Sequence, residues 1–184
     1  MKTDIYWIGG LPRGRLGISP RPRGGDWLDD EVKAWRTCGV DYVVSALTPA
    51  EEAELDLAGE DAACQGHGLR FVPVPIPDRG VPSSPSQFRR TVQELSHHLD
   101  AGGTVLVHCR QGIGRATLIA ASVLSENGEC PDSAFARIQR FRGRPVPDTE
   151  DQRNWVRRFA ASATSAQQTT RRTYRRVAAS KAHA

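Results

Sequence analysis

Thr104-Val105-Leu106-Val107-His108-Cys109-Arg110-Gln111-Gly112-Ile113-Gly114-Arg115 is the stretch that decides the fold. Its first half, Thr104–His108, is the most strand-like run in the chain, built from β-branched and aliphatic side chains. Its second half carries two glycines and ends on an arginine that opens an apolar stretch of helical length, Arg115–Glu126. At such a strand-to-helix turn, successive backbone N–H groups can converge on one point. The helix N-terminus adds partial positive charge, so the turn can cradle an anion. Gly112 and Gly114 permit positive φ and keep side chains out of the cradle. Arg115 can fold back as a two-pronged, permanently charged grip on phosphate oxygens. Cys109 enters the same electropositive bowl, where the nucleophilic thiolate is favoured.

Blander readings exist for each part. A lone buried cysteine is ordinarily a small packing residue, and a Gly-rich turn also serves nucleotides. However, Gly112-x-Gly114 lacks the third glycine of the dinucleotide fingerprint, and no Gly-Lys-Ser/Thr of the P-loop ATPases is present. The combination of His-Cys, five spacers with two glycines, and Arg points to nucleophilic phosphate chemistry. His108–Arg115 resembles the His-Cys-x5-Arg signature of the protein tyrosine phosphatase superfamily. From about Gly39 to Phe159 the chain looks most like the dual-specificity branch, especially kinase-associated-phosphatase-like proteins. The resemblance implies a phosphocysteine formed on Cys109 and a phosphate held by Arg110, Gln111, Gly112, Ile113, Gly114 and Arg115. It implies no metal or organic cofactor. His108 is read as a support of the loop through hydrogen bonding.

Cleaving a phosphate ester also needs a proton donor opposite the nucleophile. Pro75-Ile76-Pro77-Asp78-Arg79-Gly80-Val81-Pro82 offers one carboxyl, Asp78, on a proline-stiffened loop hinged near Gly80, where the resemblance puts the family's acid loop. Taken alone, Asp78 reads equally as a turn residue. Thr149-Glu150-Asp151-Gln152 admits two readings of Gln152. It either orients the hydrolytic water, as the resemblance implies, or completes a helix capping box with Thr149. Two departures stand out. Asp148 occupies the place of the family's more directly catalytic glutamine. Ala116 replaces the hydroxyl residue that usually follows the arginine and assists departure of the thiolate, so slow breakdown of the phosphocysteine is expected.

Working outward, a strand is predicted at Asp4–Ile8, followed by a Gly/Pro/Arg-rich connection through Gly25. A helix follows at Leu28–Thr37, capped by Asp26, then a strand at Asp41–Ala46. An acidic helix over Ala50–Gln65 precedes a strand at Leu69–Val74 and a segment, Pro73–Pro85, with five prolines. Helices are predicted at Ser86–Asp100, Arg115–Glu126, Pro131–Phe141 and Thr149–Ala160. This alternation predicts an α/β fold with a central, largely parallel sheet flanked by helices.

The 184 residues suit one domain, taken as 1–161, with a basic, disordered tail at 162–184. The net charge of +4 owes five basic residues to that tail, leaving about −1 for the rest. Basicity is therefore weak grounds for a nucleic-acid partner, which the tail nonetheless leaves open. The four cysteines form no Cys-x-x-Cys pair. Cys38, Cys64 and Cys130 are read as packing residues. His97 and His98 point about 100° apart on a helix and read as surface residues, with no shared metal. Glu51, Glu52, Glu54, Asp56, Glu60 and Asp61 read as a solvated face. Without a membrane-length apolar run or a signal peptide, a cytoplasmic protein is expected. The partner expected is a phosphorylated protein or peptide. Two alternatives remain: a low-turnover phosphate-binding protein that sequesters a partner, and a phosphatase acting on RNA 5′ ends or another non-protein phosphate.

Overall fold

A computed structural model describes residues 4–162. The expected tail, apart from Ser162, lies outside them. The strands are Tyr6–Ile8 (β1), Arg15–Pro20 (β2), Tyr42–Ser45 (β3), Arg70–Pro73 (β4) and Thr104–Cys109 (β5). The helices are Leu28–Thr37 (α1), Pro49–Glu54 (α2), Glu60–Gly66 (α3), Pro85–Asp100 (α4), Arg115–Glu126 (α5), Pro131–Arg142 (α6) and residues 150–162 (α7).

All six residues of β5 are buried, because it lies at the centre of a sheet ordered β1-β2-β5-β3-β4. The β2–β5, β5–β3 and β3–β4 pairings are parallel, and β1–β2 is antiparallel. The predicted α/β fold with a largely parallel sheet is therefore observed. Alternation along the strands feeds two cores. Val105, Val107 and Cys109 join Val44, Leu118, Phe135 and Val156 on one face, which α4, α5, α6 and α7 cover. Leu106 joins Val43, Trp35 and Cys64 on the other face, under α1 and α3. The parallel strands end together, with Cys109 paired beside Pro20 of β2 and His108 beside Ser45 of β3. In open α/β sheets that edge is where ligands bind.

Three expectations are corrected. The connection before Gly25 contains a strand, β2, whose Gly17 and terminal Pro20 hide its pattern. The acidic stretch is two helices, not one, because the chain turns through positive φ at Asp56 between α2 and α3. Asp26 does not cap α1. It sits in a 3-10 turn, Gly25–Trp27, and Trp27 occupies the N-cap with no side-chain bond. The other predicted elements are present within two residues of their predicted ends. Among the described residues no helix is long and apolar enough to cross a membrane.

Candidate active site

Cys109 ends β5 and Arg115 begins α5, so the five intervening residues form the strand-to-helix turn foreseen in the sequence. Gly112 has φ +64°, and a Cβ there would come within 2.5 Å of the Ser19 carbonyl oxygen on β2. Both facts require glycine. Gly114 does not use that freedom, with φ −78°. Its lack of a side chain serves close approach instead, since a Cβ would lie 2.2 Å from Asp148 Oδ2. Gly112, Ile113 and Gly114 are buried, Arg110 is half-buried and pairs with Glu54, and Gln111 is exposed.

The loop carbonyls are held from outside the turn. Arg142, at the end of α6, donates Nε to Gly112 O and Nη2 to Gln111 O, both at 2.8 Å. Its guanidinium lies over the Tyr6 ring at 3.9 Å. Carbonyls committed to Arg142 cannot turn into the cradle. Nothing in the local sequence around Arg142 announces this role.

Arg115 is 2% exposed. Its Nη1 donates to Glu51 Oε2 (2.6 Å) and Ile76 O (2.9 Å), and its Nη2 donates to Glu51 Oε1 (2.9 Å). Asp78 Oδ1 stands 3.3 Å from Nη2. Burial disfavours the guanidinium charge. The bond to Glu51 and the charges of Cys109, Glu51 and Asp78 outweigh it and raise the Arg115 pKa. Glu51 in turn belongs to the capping box that starts α2. The Thr48 side chain accepts from Glu51 N, and Glu51 Oε2 accepts from Thr48 N. The Arg115 bond, opposed by burial and aided by the Thr48 backbone, lowers the Glu51 pKa to about 2.

The acidic stretch is thus not simply a solvated face. Glu51 is buried against Arg115, and Glu60 is 1% exposed with Oε1 2.8 Å from His108 Nε2. His108 itself is fully buried, next to the Trp35 ring. It stands directly beneath the loop, in contact with Glu60, although that contact lacks the alignment of a directed hydrogen bond.

Asp78 is exposed, on a tight turn closed by Gly80 N donating to Pro77 O at 2.8 Å. The left-handed residue of that turn is Arg79, φ +56°. Gln152 fulfils half of the capping reading. Its amide N–H donates to Thr149 Oγ1 (3.2 Å), a helix cap, but its side chain does not complete the box. Instead Nε2 donates to Gly80 O (3.1 Å), while Oε1 lies near Gly114. Cys109, Arg115, Asp78, His108 and Gln152 are therefore brought together at the carboxyl ends of β3, β4 and β5. Ala116 is fully buried beneath the loop, and Thr117, also buried, has no partner for its hydroxyl.

Among the other cysteines, Cys64 is buried, and burial with nearby Glu60 and Asp61 pushes its thiol up to about 12. Cys38 and Cys130 are exposed, which corrects their reading as packing residues. Among the described residues no group of three or more His, Cys, Asp or Glu could hold a metal ion.

Residues 19–129 match the family model described as the DSP-PTPase phosphatase of polymorphic toxin systems. Cyclin-dependent kinase inhibitor 3 of Sus scrofa is 25% identical over 134 residues, covering 72% of this chain and 63% of that protein. Its counterpart in Rattus norvegicus is 30% identical over the same shares. The chain therefore spans 63% of the length of these curated relatives. Among solved structures, kinase associated phosphatase, with serine substituted for its catalytic-site cysteine, superposes with a TM-score of 0.80. It is 21% identical, over 88% of this chain and 96% of that one. Tk-PTP in its active form superposes at 0.70 with 22% identity, over 88% and 99%. Likeness at that identity is likeness of fold.

Proposed function

We propose, because the chain belongs to the DSP-PTPase phosphatase family of polymorphic toxin systems, that it hydrolyses phosphate monoesters through a phosphocysteine on Cys109. The substrates are proteins bearing phosphotyrosine, or phosphoserine and phosphothreonine. The observation that carries this reading is Arg115. It is buried at the base of the Cys109 loop, aligned by the two hydrogen bonds it donates to Glu51, and within 3.3 Å of Asp78. A guanidinium fixed in this way is preorganised for the charge that develops on a transferring phosphoryl group. Its Nε donates to no group among the described residues, and is available to a phosphate oxygen.

In the first step the Cys109 thiolate attacks phosphorus. The loop amides and Arg115 hold the three outer oxygens, and Asp78 gives its proton to the departing oxygen. Water then releases phosphate and restores the thiolate. Asp78→Asn, which keeps the shape but loses the proton, is expected to slow hydrolysis of a phosphoprotein about 10²-fold or more. An aryl phosphate with an acidic leaving group, which needs less protonation, should be affected much less. Equal loss on both substrates would contradict a general-acid role. A working nucleophile must remain a free thiol, which a reducing cytoplasm preserves.

Ala116 favours a second feature of this reading, low turnover. The residue after Arg115 carries no hydroxyl, and Thr117 lies buried on the neighbouring face of α5. Ala116→Ser is expected to speed breakdown of the phosphocysteine several-fold, read as a higher steady-state rate with an unchanged first turnover. If steady-state turnover does not rise, the missing hydroxyl is not what limits the enzyme.

A further inference from the structure

Phosphate binding uses the backbone of Arg110 and leaves its side chain idle. That side chain directly follows Cys109, is 38% exposed, and meets Glu54 Oε1 on α2. The same helix carries Glu51, the partner of Arg115. Residues three apart share a helix face, so α2 meets one arginine from each end of the phosphate loop. The two pairs differ in how firmly they are held. Glu51 and Arg115 are buried, whereas Glu54 is 60% exposed. An exposed pair is worth little and exchanges readily for another.

A second arginine stands beside Arg110. The parallel register of β2 and β5 ends with Pro20 opposite Cys109. One step on, Arg21 N donates to Arg110 O at 3.4 Å, which sets the two arginines next to each other at the edge of the site. The Arg21 guanidinium is half-buried and donates to Pro22 O at 2.9 Å. Among the described residues no carboxylate pairs with it. Like charges set side by side repel, and Glu54 balances only one of them. This end of the loop therefore carries a surplus positive charge. The other end is acidic, with Asp148 against Gly114 and Asp78 Oδ1 3.3 Å from Arg115 Nη2.

We propose that Arg110 and Arg21 form an anion subsite beside the phosphate cradle, which takes an acidic side chain next to the phosphorylated residue of a substrate protein. This rests on the phosphatase reading above and names the substrate class of that site as phosphorylated acidic segments. Glu54 occupies Arg110 until the carboxylate of the substrate takes its place. The polarity of the mouth also orients the segment, because a carboxylate turned toward Asp148 and Asp78 is repelled.

The test compares kcat/KM on two phosphotyrosine peptides that differ only in charge, one flanked on both sides by glutamate and the other by glutamine. Wild type is expected to prefer the acidic peptide about fivefold, the size of one exposed charge pair. Glu54→Gln removes the internal competitor and should raise that preference. Arg21→Gln should lower it, and Arg110→Gln should bring it close to one. Arg90→Gln removes the same charge beside Tyr42 and Arg70, at the amino ends of β3 and β4, and should leave the preference at the wild-type value. Each variant is read as a ratio, so a loss of rate common to both peptides cancels. The proposal is overturned if wild type treats the two peptides alike, if Arg110→Gln keeps the preference, or if Glu54→Gln fails to raise it. It is equally overturned if Arg90→Gln lowers the preference as far as Arg110→Gln does. Wild type that hydrolyses neither peptide would instead overturn the phosphatase reading beneath it.

Discussion

Cys109→Ser is expected to lower hydrolysis of an aryl phosphate by about 10⁴-fold or more, the scale seen when a covalent nucleophile is removed. A hydroxyl is not ionised at neutral pH and has no base beside it, whereas a thiolate in an amide-lined, cationic loop attacks directly. The exchange is nearly isosteric at a residue 3% exposed, so the fold should persist. Binding should persist too, because the loop amides, Arg115 and the Arg142 props are untouched. Inorganic phosphate should therefore still bind the variant in calorimetry. Cys64→Ala supplies the control. That thiol is buried, is pushed up to about 12, and packs in the opposite core. Its loss should leave turnover within about twofold. Equal losses in the two variants would mean that damage to the fold, not loss of the nucleophile, was measured.

Glu51→Gln is expected to lower kcat/KM by about 10²-fold or more and stability by about 3 kcal/mol. The stability figure follows from the pair it breaks. Arg115 stays 2% exposed but loses the carboxylate that receives two of its hydrogen bonds. Removing one member of a buried ion pair costs about 3–5 kcal/mol, because the other charge is left uncompensated. The rate effect follows from misalignment of the same guanidinium. Acid provides an independent check. The folded Glu51 pKa, about 2, lies below the ordinary 4.5. Its contribution is therefore complete above the unfolded value and is lost as pH falls toward about 2. The shift is worth about 3 kcal/mol. Denaturation of wild type and Glu51→Gln should accordingly differ most above pH 5, with the gap closing between roughly pH 4.5 and 2. A gap independent of pH across that window would show that the carboxylate charge is not what holds Arg115.

What could be read from the sequence was local. The run from Thr104 to Arg115 displays its strand, its turn and its helix start within twelve consecutive residues, and Gly112 adopts the positive φ that such a turn requires. Helices α4, α5 and α6 were legible because apolar spacing and terminal glycine or proline signals lie in one window. Strand β2 was not, since its alternation is interrupted by Gly17 and Pro20 and becomes strand-like only when paired with β5. The supports of the site were hidden for a related reason. Glu51 meets Arg115 across 64 positions, and Arg142 meets Gln111 across 31. A glutamate in an acidic stretch announces solvent exposure, and only the tertiary fold brings the cation that reverses it. The Thr48-x-x-Glu51 capping signature was present, and it placed Glu51 at the helix start without revealing its second partner. Gln152 shows the same limit, because spacing alone left a capping box or a water-orienting role open, and only the fold shows its side chain reaching Gly80 O.

The most direct measurement of the central claim is the site of covalent phosphorylation during turnover. Protein mixed with an aryl phosphate, quenched in acid within milliseconds and digested should yield one peptide heavier by a single phosphoryl group, with the phosphorus on Cys109. Steady hydrolysis with no phosphorylated Cys109 at any quench time, together with undiminished hydrolysis by Cys109→Ser, would contradict the account.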